Sequence, residues 1–441
     1  MVLAGFLASV LLAAVAQAAD APAPLRVGTS GDYPPFSSAG PGSGAAGAFR
    51  GFDIDVANAY AEERGRAIEF VPFAWPELLD LLAAHRFDVA MSGITVRPER
   101  SAAGRFSVPV TESGAVVLVR EPTLVSSLDE VDRRGLRLGV NAGGHLERVA
   151  LAHFPKATLV VIRGNAEVLR ALQSGGVDAA LTDTREAPGW EREVGDVRRF
   201  GPFTRDRKAF LVSADASALG ADLDAWLLER ETDGSLAELR RRHFGLAPGP
   251  ATALPLEALI AALDERLALM PAVAAAKRAS VLPIAAPQRE RVVIAAGEAA
   301  VLKAAERAGR PAPTAEAVRA FYAAQIAAAR DVQMAAVRDP DFTPEQPLLD
   351  LDTALRPALL RIGERIAALV VALPADLDSA NVSRACNEGL RAAWLTPPTR
   401  NELCRALQHL AAAPRTASAQ EDPGQNARDQ RQHETRAPSH Q

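Results

Sequence analysis

Cysteine is almost missing: the 441 residues contain two, Cys386 and Cys404, too few for a disulfide framework and without the paired C-x-x-C spacing of a zinc module. The seven histidines include no H-E-x-x-H pair, so neither a metal nor any other cofactor is expected. A formal charge of −5 provides no broad basic field, which argues against nucleic acid as a partner and requires any anion site to be local. Beyond the first residues no stretch is long and apolar enough to cross a bilayer. Residues 414–441 contain no Leu, Ile, Val or Phe and are expected to form a disordered tail.

What is present is a globular composition, 48% hydrophobic and 23% charged, long enough for two to four compact units at roughly 100–200 residues each. Met1 to Ala18 is an apolar run ending Ala16-Gln17-Ala18, the small-x-small form of a signal-peptidase site. Export to the periplasm and cleavage are expected, with no stable membrane insertion afterwards. The missing basic residue ahead of the run leaves an uncleaved anchor as the alternative.

From Leu25 onward short apolar strands alternate with amphipathic helical stretches, a βαβ rhythm that predicts an α/β domain with mainly parallel sheets. Apolar blocks at Ala115–Val119, Leu136–Val140 and Phe210–Val212 suggest two lobes joined by crossing strands, the second spanning about 121–213. The first domain is taken as 25–246 and a Gly/Pro-rich linker as 247–253. Residues 254–413 carry leucines at helical spacing, as in Leu256, Leu259, Leu263 and Leu267, and predict an all-α domain. Gly42-Ser43-Gly44-Ala45-Ala46-Gly47 fits G-x-G-x-x-G, but no helix opens after it, so it is set aside as a dinucleotide site.

Gly31-Asp32-Tyr33-Pro34-Pro35-Phe36, Gly51-Phe52-Asp53-Ile54-Asp55-Val56, Phe87-Asp88-Val89-Ala90-Met91 and Ile94-Thr95-Val96-Arg97-Pro98-Glu99-Arg100 resemble the polar-amino-acid periplasmic binding proteins. That resemblance implies a two-lobed α/β domain in which Arg100 forks onto a ligand carboxylate, as a planar guanidinium can, with Tyr33 and Thr95 beside it. Ala74-Trp75-Pro76, Asn141-x-Gly143-Gly144-x-x-Glu147-Arg148 and Thr182-Asp183-x-x-Glu186 are similar to the cyclohexadienyl dehydratases within that family. The resemblance implies prephenate as substrate, losing CO₂ and its ring hydroxyl, with Glu186 as the protonated general acid. Trp75 would wall the ring and desolvate Glu186. The Gly143-Gly144 turn would offer amides to a carboxylate. Asp183 and Lys208 complete the expected set. At the dehydratases' Thr-Asn pair this chain has His145-Leu146, and His145 is a candidate replacement donor.

Asp264-Glu265-Arg266-Leu267, Pro271-x-Val273-Ala274-Ala275-x-Lys277, Leu282-Pro283-Ile284 and Arg289 resemble the secreted, gamma-class all-α chorismate mutases. That resemblance implies a helical chorismate mutase domain, with Arg266, Arg289 and Arg356 clamping the two carboxylates and Lys277 and Gln333 bonding the breaking ether oxygen. Arg266 and Lys277 share a face if one helix runs through Pro271. Ala286 and Ala329 stand where that family has an acid and a hydroxyl residue. Together the two resemblances imply a bifunctional periplasmic enzyme taking chorismate through prephenate to phenylpyruvate. The alternative is a solute-binding protein that serves a transporter partner, fused to a mutase. In the oxidising periplasm Cys386 and Cys404 could pair.

Overall fold

The computed structural model describes residues 23–40, 48–245, 251–344 and 347–416. The Met1–Ala18 run and the Gly42–Gly47 motif lie outside them. The first half runs β1 (Leu25–Thr29), α1 (Phe52–Glu63), β2 (Ile68–Pro72), α2 (Leu78–Ala83), β3 (Val89–Ala90), α3 (Pro98–Ala103), β4 (Gly104–Phe106), β5 (Thr111–Ser113) and β6 (Ala115–Arg120). It continues with β7 (Arg137–Asn141), α4 (His145–His153), β8 (Thr158–Ile162), α5 (Asn165–Ser174), β9 (Ala179–Asp183), α6 (Ala187–Val194) and β10 (Val197–Phe200). β11 (Asp206–Lys208), β12 (Leu211–Ser213), α7 (Ser217–Thr232) and α8 (Ser235–Phe244) close it.

Two five-stranded sheets result, ordered β2-β1-β3-β12-β4 and β8-β7-β9-β6-β10, and each forms one lobe. They are mixed rather than mainly parallel. β1 runs parallel to β2 and β3, and β7 to β8 and β9, whereas the pairs made by β12 and β6 are antiparallel. Parallel neighbours need a crossover helix, and β6 and β12 have none before them because they arrive directly from the chain crossings. Those crossings are β5 and β11, an antiparallel ribbon pairing Arg207 with Glu112 and Lys208 with Thr111.

The ribbon corrects the expected boundary of the second lobe. Its sheet spans Ala115 to Phe200, and Leu211–Ser213 belongs to the first lobe between β3 and β4. Val116–Val119 are fully buried, and the second lobe keeps a separate apolar cluster on each face of its sheet, as expected for a sheet covered on both sides.

The second half is helical: α9 (Pro255–Ala268), α10 (Met270–Ala279), α11 (Pro287–Ala308), α12 (Ala315–Arg338), α13 (Arg356–Ala372), α14 (Ser379–Gly389) and α15 (Pro397–Ala412). A helix does not run unbroken through Pro271. The break falls at Leu269, because proline cannot donate to the preceding turn. One short ladder interrupts the all-α expectation, with Arg415–Thr416 pairing onto Ala312–Pro313 and the Thr314 amide donating to the Pro414 carbonyl at 3.1 Å. The chain is therefore ordered to Thr416 rather than ending at Ala413, and the rest of the expected tail lies outside the described residues. Cys386 and Cys404 are disulfide-bonded, joining α14 to α15.

The expected linker is partly packed. Thr252 donates to the Pro109 carbonyl at 2.9 Å, and the buried Ala253 donates its amide to Glu231 at 3.1 Å. One continuous apolar core joins the first lobe to the helical domain, whereas the second lobe's clusters stand apart. At the joint, Glu265 of α9 pairs with Arg365 of α13 and accepts from Ser101 of α3 at 2.9 Å, while Arg365 also donates to the Phe106 carbonyl. All three side chains are buried. Glu265→Ala would strand the Arg365 charge, and about 3–5 kcal/mol of stability should be lost in urea denaturation. A loss near that of a surface pair would mean that this network does not carry the joint.

Candidate functional site

The cleft between the lobes is built from strand ends and helix starts. Tyr33, Trp75, Gly93, Thr95, Arg100, Asn141, Gly144, His145, Asn165 and Lys208 surround it, so most of the expected residues meet there. Arg100 lies in α3 just after Pro98, a residue suited to a helix's first turn. It is 2% exposed and donates to the Thr95 carbonyl at 3.1 Å. Burial, with Arg97 adding to it, lowers its pKa to about 9, which still leaves a cation at neutral pH.

Lys208 is a buried hub, not a surface charge. Its Nζ donates to Thr95 Oγ1 at 2.9 Å and Tyr33 Oη at 3.0 Å, and lies 3.4 Å from Asp183. Tyr33 in turn donates to Asp183 across the cleft. Burial would raise the Asp183 pKa, but Lys208, Tyr33 and the amides of Glu186 and Arg185 hold it below the usual carboxylate range.

Glu186 behaves in the opposite way. It is 2% exposed at the start of α6, and burial pushes its pKa well above the ordinary value, with Asp183 and Asp32 adding to the rise against Thr182 and Lys208. Thr182 donates to Oε2 at 2.7 Å and Asn165 to Oε1 at 3.3 Å. Two carboxyls three residues apart are thus driven in opposite directions, Asp183 towards the ionised form and Glu186 towards the protonated one.

Trp75 lines the cleft in which the substrate ring is expected. Its indole donates to Asp32 at 3.1 Å, its ring packs against Tyr33 and Phe73 and lies 5.8 Å from the Arg100 guanidinium, and the bonds to Glu186 come from Thr182 and Asn165. The Gly143-Gly144 turn differs from expectation. The Gly143 amide is taken by Glu147 at 2.6 Å, and Gly144 caps α4. A side chain at Gly143, which has φ 69°, would strike Pro76.

His145 Nε2 sits 3.1 Å from Asp206 but is poorly aligned for a hydrogen bond, and both ring nitrogens lack one. Burial lowers its pKa, opposed by Asp206 and reinforced by Lys208 and Arg97, so the ring is neutral at neutral pH. Asn165 and Asp206 were not singled out in the sequence. Asn165 opens a helix after Gly164, and Asp206 is one of many aspartates, so neither carries a local signal.

The space among these side chains is about 30 Å³, enough for about two waters. Glu186 and Asp183 lie a layer behind its walls. Asn165 bonds Glu186, and Tyr33 and Lys208 cover Asp183. The lobes also touch where the Asn165 amide donates to Asp32 at 3.2 Å and Arg97 to the Gly144 carbonyl at 3.4 Å. A ring-sized ligand therefore requires the lobes, which the β5–β11 ribbon links, to part.

In the helical half, Arg266, Lys277, Arg289, Gln333 and Arg356 all line one cavity of about 490 Å³. They come from five helices, α9 to α13, and Arg266 and Lys277 line the same space although the helix is interrupted at Leu269. Lys277 donates to the Ile284 carbonyl at 2.9 Å. Burial lowers its pKa, with Glu290 opposing and Arg356 assisting. Burial lowers Arg266 as well.

Arg266 Nε, Gln333 Oε1 and Tyr322 Oη are buried and have no hydrogen-bond partner. Groups in that condition are costly unless something meets them. Tyr322 was missed in the sequence, although a clue was available: Gly297, mid-helix in α11, is where any Cβ would strike the Tyr322 ring. Burial raises the Tyr322 pKa to about 12, so it is a neutral donor. Ala286 and Ala329 also line the cavity. Among the described residues no His/Cys/Asp/Glu group could hold a metal ion.

Residues 25–246 match the model of the bacterial extracellular solute-binding proteins, family 3. The cyclohexadienyl dehydratase of Pseudomonas aeruginosa is 35% identical over 225 residues, covering 50% of this chain and 82% of that protein. The ABC transporter arginine-binding protein 1 of Escherichia coli is 29% identical over 244 residues, covering 53% of this chain and 96% of that protein. The crystal structure of an ancestral amino acid-binding protein, described as a precursor of cyclohexadienyl dehydratase, aligns at 32% identity with a TM-score of 0.47, over 50% of this chain and 95% of that one.

Proposed function

This chain belongs to the bacterial extracellular solute-binding proteins, family 3, and from that premise we propose that it is a periplasmic enzyme with two active sites, converting chorismate to prephenate and prephenate to phenylpyruvate. The domain limits are those given above, with 25–246 as the dehydratase and 254–413 as the mutase, behind a signal peptide at 1–18.

For the dehydratase, the supporting observation is the opposed pair of carboxyls. Glu186 is driven towards the protonated form and Asp183 towards the ionised one. Prephenate needs a proton for its departing hydroxyl, which leaves as water while the ring carboxylate leaves as CO₂ and its bonding pair enters the new aromatic ring. Glu186 supplies that proton, and Arg100 holds a carboxylate. Neutral His145 donates or accepts where the dehydratases have an amide. The 35% identity to a protein named for this activity supports the same reading.

For the mutase, the supporting observation is the set of three buried, unpartnered polar atoms in a cavity that five cations line. The rearrangement is pericyclic and needs no nucleophile. Arg266, Arg289 and Arg356 hold the two carboxylates in the reactive conformation. Lys277 and Gln333 stabilise the charge that develops on the ether oxygen.

The second reading, a transport binding protein fused to a mutase, draws on the 29% identity to an arginine-binding protein and on Asp183, a ready partner for an amino-acid ammonium. One experiment separates the two. Purified protein is given chorismate or prephenate, and all three compounds are followed over time. Phenylpyruvate from both substrates is the expected result. Prephenate that accumulates unchanged would leave the second reading.

A further inference from the structure

A third cavity, of about 430 Å³, lies where the β5–β11 ribbon meets α9 and α14. None of the residues assigned to either site above lines it. Its floor is apolar, formed by Leu256 and Ile260 of α9 and by Leu377 just before α14.

Part of its charged rim is already matched. Glu112 is held by Arg205 at 2.7 Å and Arg391 at 3.0 Å, and Arg207 binds Asp264 and the Gly389 carbonyl. The remainder, Glu257, Arg384 and the exposed Glu388, meets no opposite charge at ion-pair distance among the described residues. Glu257 is half-buried in the first turn of α9. Burial raises its pKa, its own amide opposes the rise, Glu231 adds to it and Arg384 counters weakly. Across from it the Arg384 guanidinium donates, among the described residues, only to the neutral Asn381 amide oxygen, at 2.7 Å.

A half-buried carboxylate without a cation is costly, and an exposed guanidinium fork suits a carboxylate. An anion alone would answer Arg384 and leave Glu257, and a cation alone would do the reverse. We infer that this cavity binds a free α-amino acid with an apolar side chain, its ammonium on Glu257, its carboxylate on Arg384 and its side chain on Leu256, Ile260 and Leu377. The volume falls in the range of small-ligand sites, about 300–1,000 Å³.

The position also couples the site to the cleft. Glu112 and Arg207 are paired in the ribbon that links the lobes, and Arg207 lies between Asp206, which faces His145, and Lys208, which faces Asp183. α9 belongs to the body formed by the first lobe and the helical domain. A ligand wedged between ribbon and α9 thus changes the freedom of the second lobe to open.

The test uses full-length protein carrying Asp183→Asn, which weakens amino-acid binding in the cleft. It is titrated calorimetrically with L-phenylalanine and L-leucine, alone and with Glu257→Gln or Arg384→Ala added. One site per chain should persist in Asp183→Asn and weaken by about tenfold or more with each added change, the scale of one lost charge-assisted bond. N-acetyl-L-phenylalanine, which lacks the ammonium, and L-phenylalaninamide, which lacks the carboxylate, should weaken similarly. Arg384 is exposed, so its replacement leaves folding intact and keeps the test valid if Glu257→Gln disturbs α9. Absence of the site, or binding unchanged by both substitutions, overturns the inference. The readout is binding, so failure of the two-step enzyme reading would leave this result standing.

Discussion

Glu186→Gln is expected to lower prephenate turnover by about 10²–10⁴-fold, the usual contribution of a positioned general acid, while chorismate consumption continues at its original rate. Glutamine keeps the shape and can still meet Thr182 and Asn165, but it has no proton to give to a departing hydroxide. The same substitution should change the pH dependence of stability in a defined direction. Burial raises the folded-state pKa of Glu186 above its unfolded value. Between those two values the unfolded chain has released the proton and the folded one retains it, so stability falls as pH rises. Glu186→Gln removes that contribution, and its melting temperature relative to the parent should climb as pH increases from the ordinary carboxylate range. Prephenate turnover that survived in Glu186→Gln would end its assignment as the acid. A melting difference independent of pH would show that the carboxyl is not held protonated.

Lys277→Ala is expected to do the reverse, lowering chorismate turnover by at least about 10²–10³-fold, the cost of losing one donor aimed at developing charge, with prephenate turnover unaffected. Lys277 lies in α10, in the cavity of the helical half, and no side chain of the cleft touches that space. Because burial lowers the Lys277 pKa, mutase activity should fall on the alkaline side earlier than an ordinary lysine would dictate. Gln333 adds no ionisation of its own. Steady-state rates across pH for both substrates test both statements. Loss of both activities in either variant, with the protein still folded, would overturn the assignment of two independent sites.

Much of this was legible from local pattern. Apolar runs flanked by turn residues marked the strands of both lobes, leucines at helical spacing marked the second half, and many of the motif residues line the cleft or the helical cavity. Register and lobe membership were not legible. Leu211–Ser213 reads as one more apolar block, yet it belongs to the first lobe because the β5–β11 ribbon carries the chain back. The mixed sheets follow from that same crossing.

The candidate sites divide along the same line. Residue type and spacing alone determined which side chains would be present: a guanidinium at Arg100, two carboxyls at Asp183 and Glu186, and four cations with an amide in the helical half. Tertiary structure decided their charge states and access. Burial drives Glu186 towards the protonated form, while Lys208 and Tyr33 drive Asp183 towards the ionised one. Trp75, expected as a wall over the substrate ring, lines the cleft with its indole bonded to Asp32. Asn165, Asp206 and Tyr322 enter the sites only through contacts distant in sequence. A side chain's chemistry is written in its residue type, but its pKa and its reach depend on desolvation and on partners many residues away, and only the packed chain supplies those.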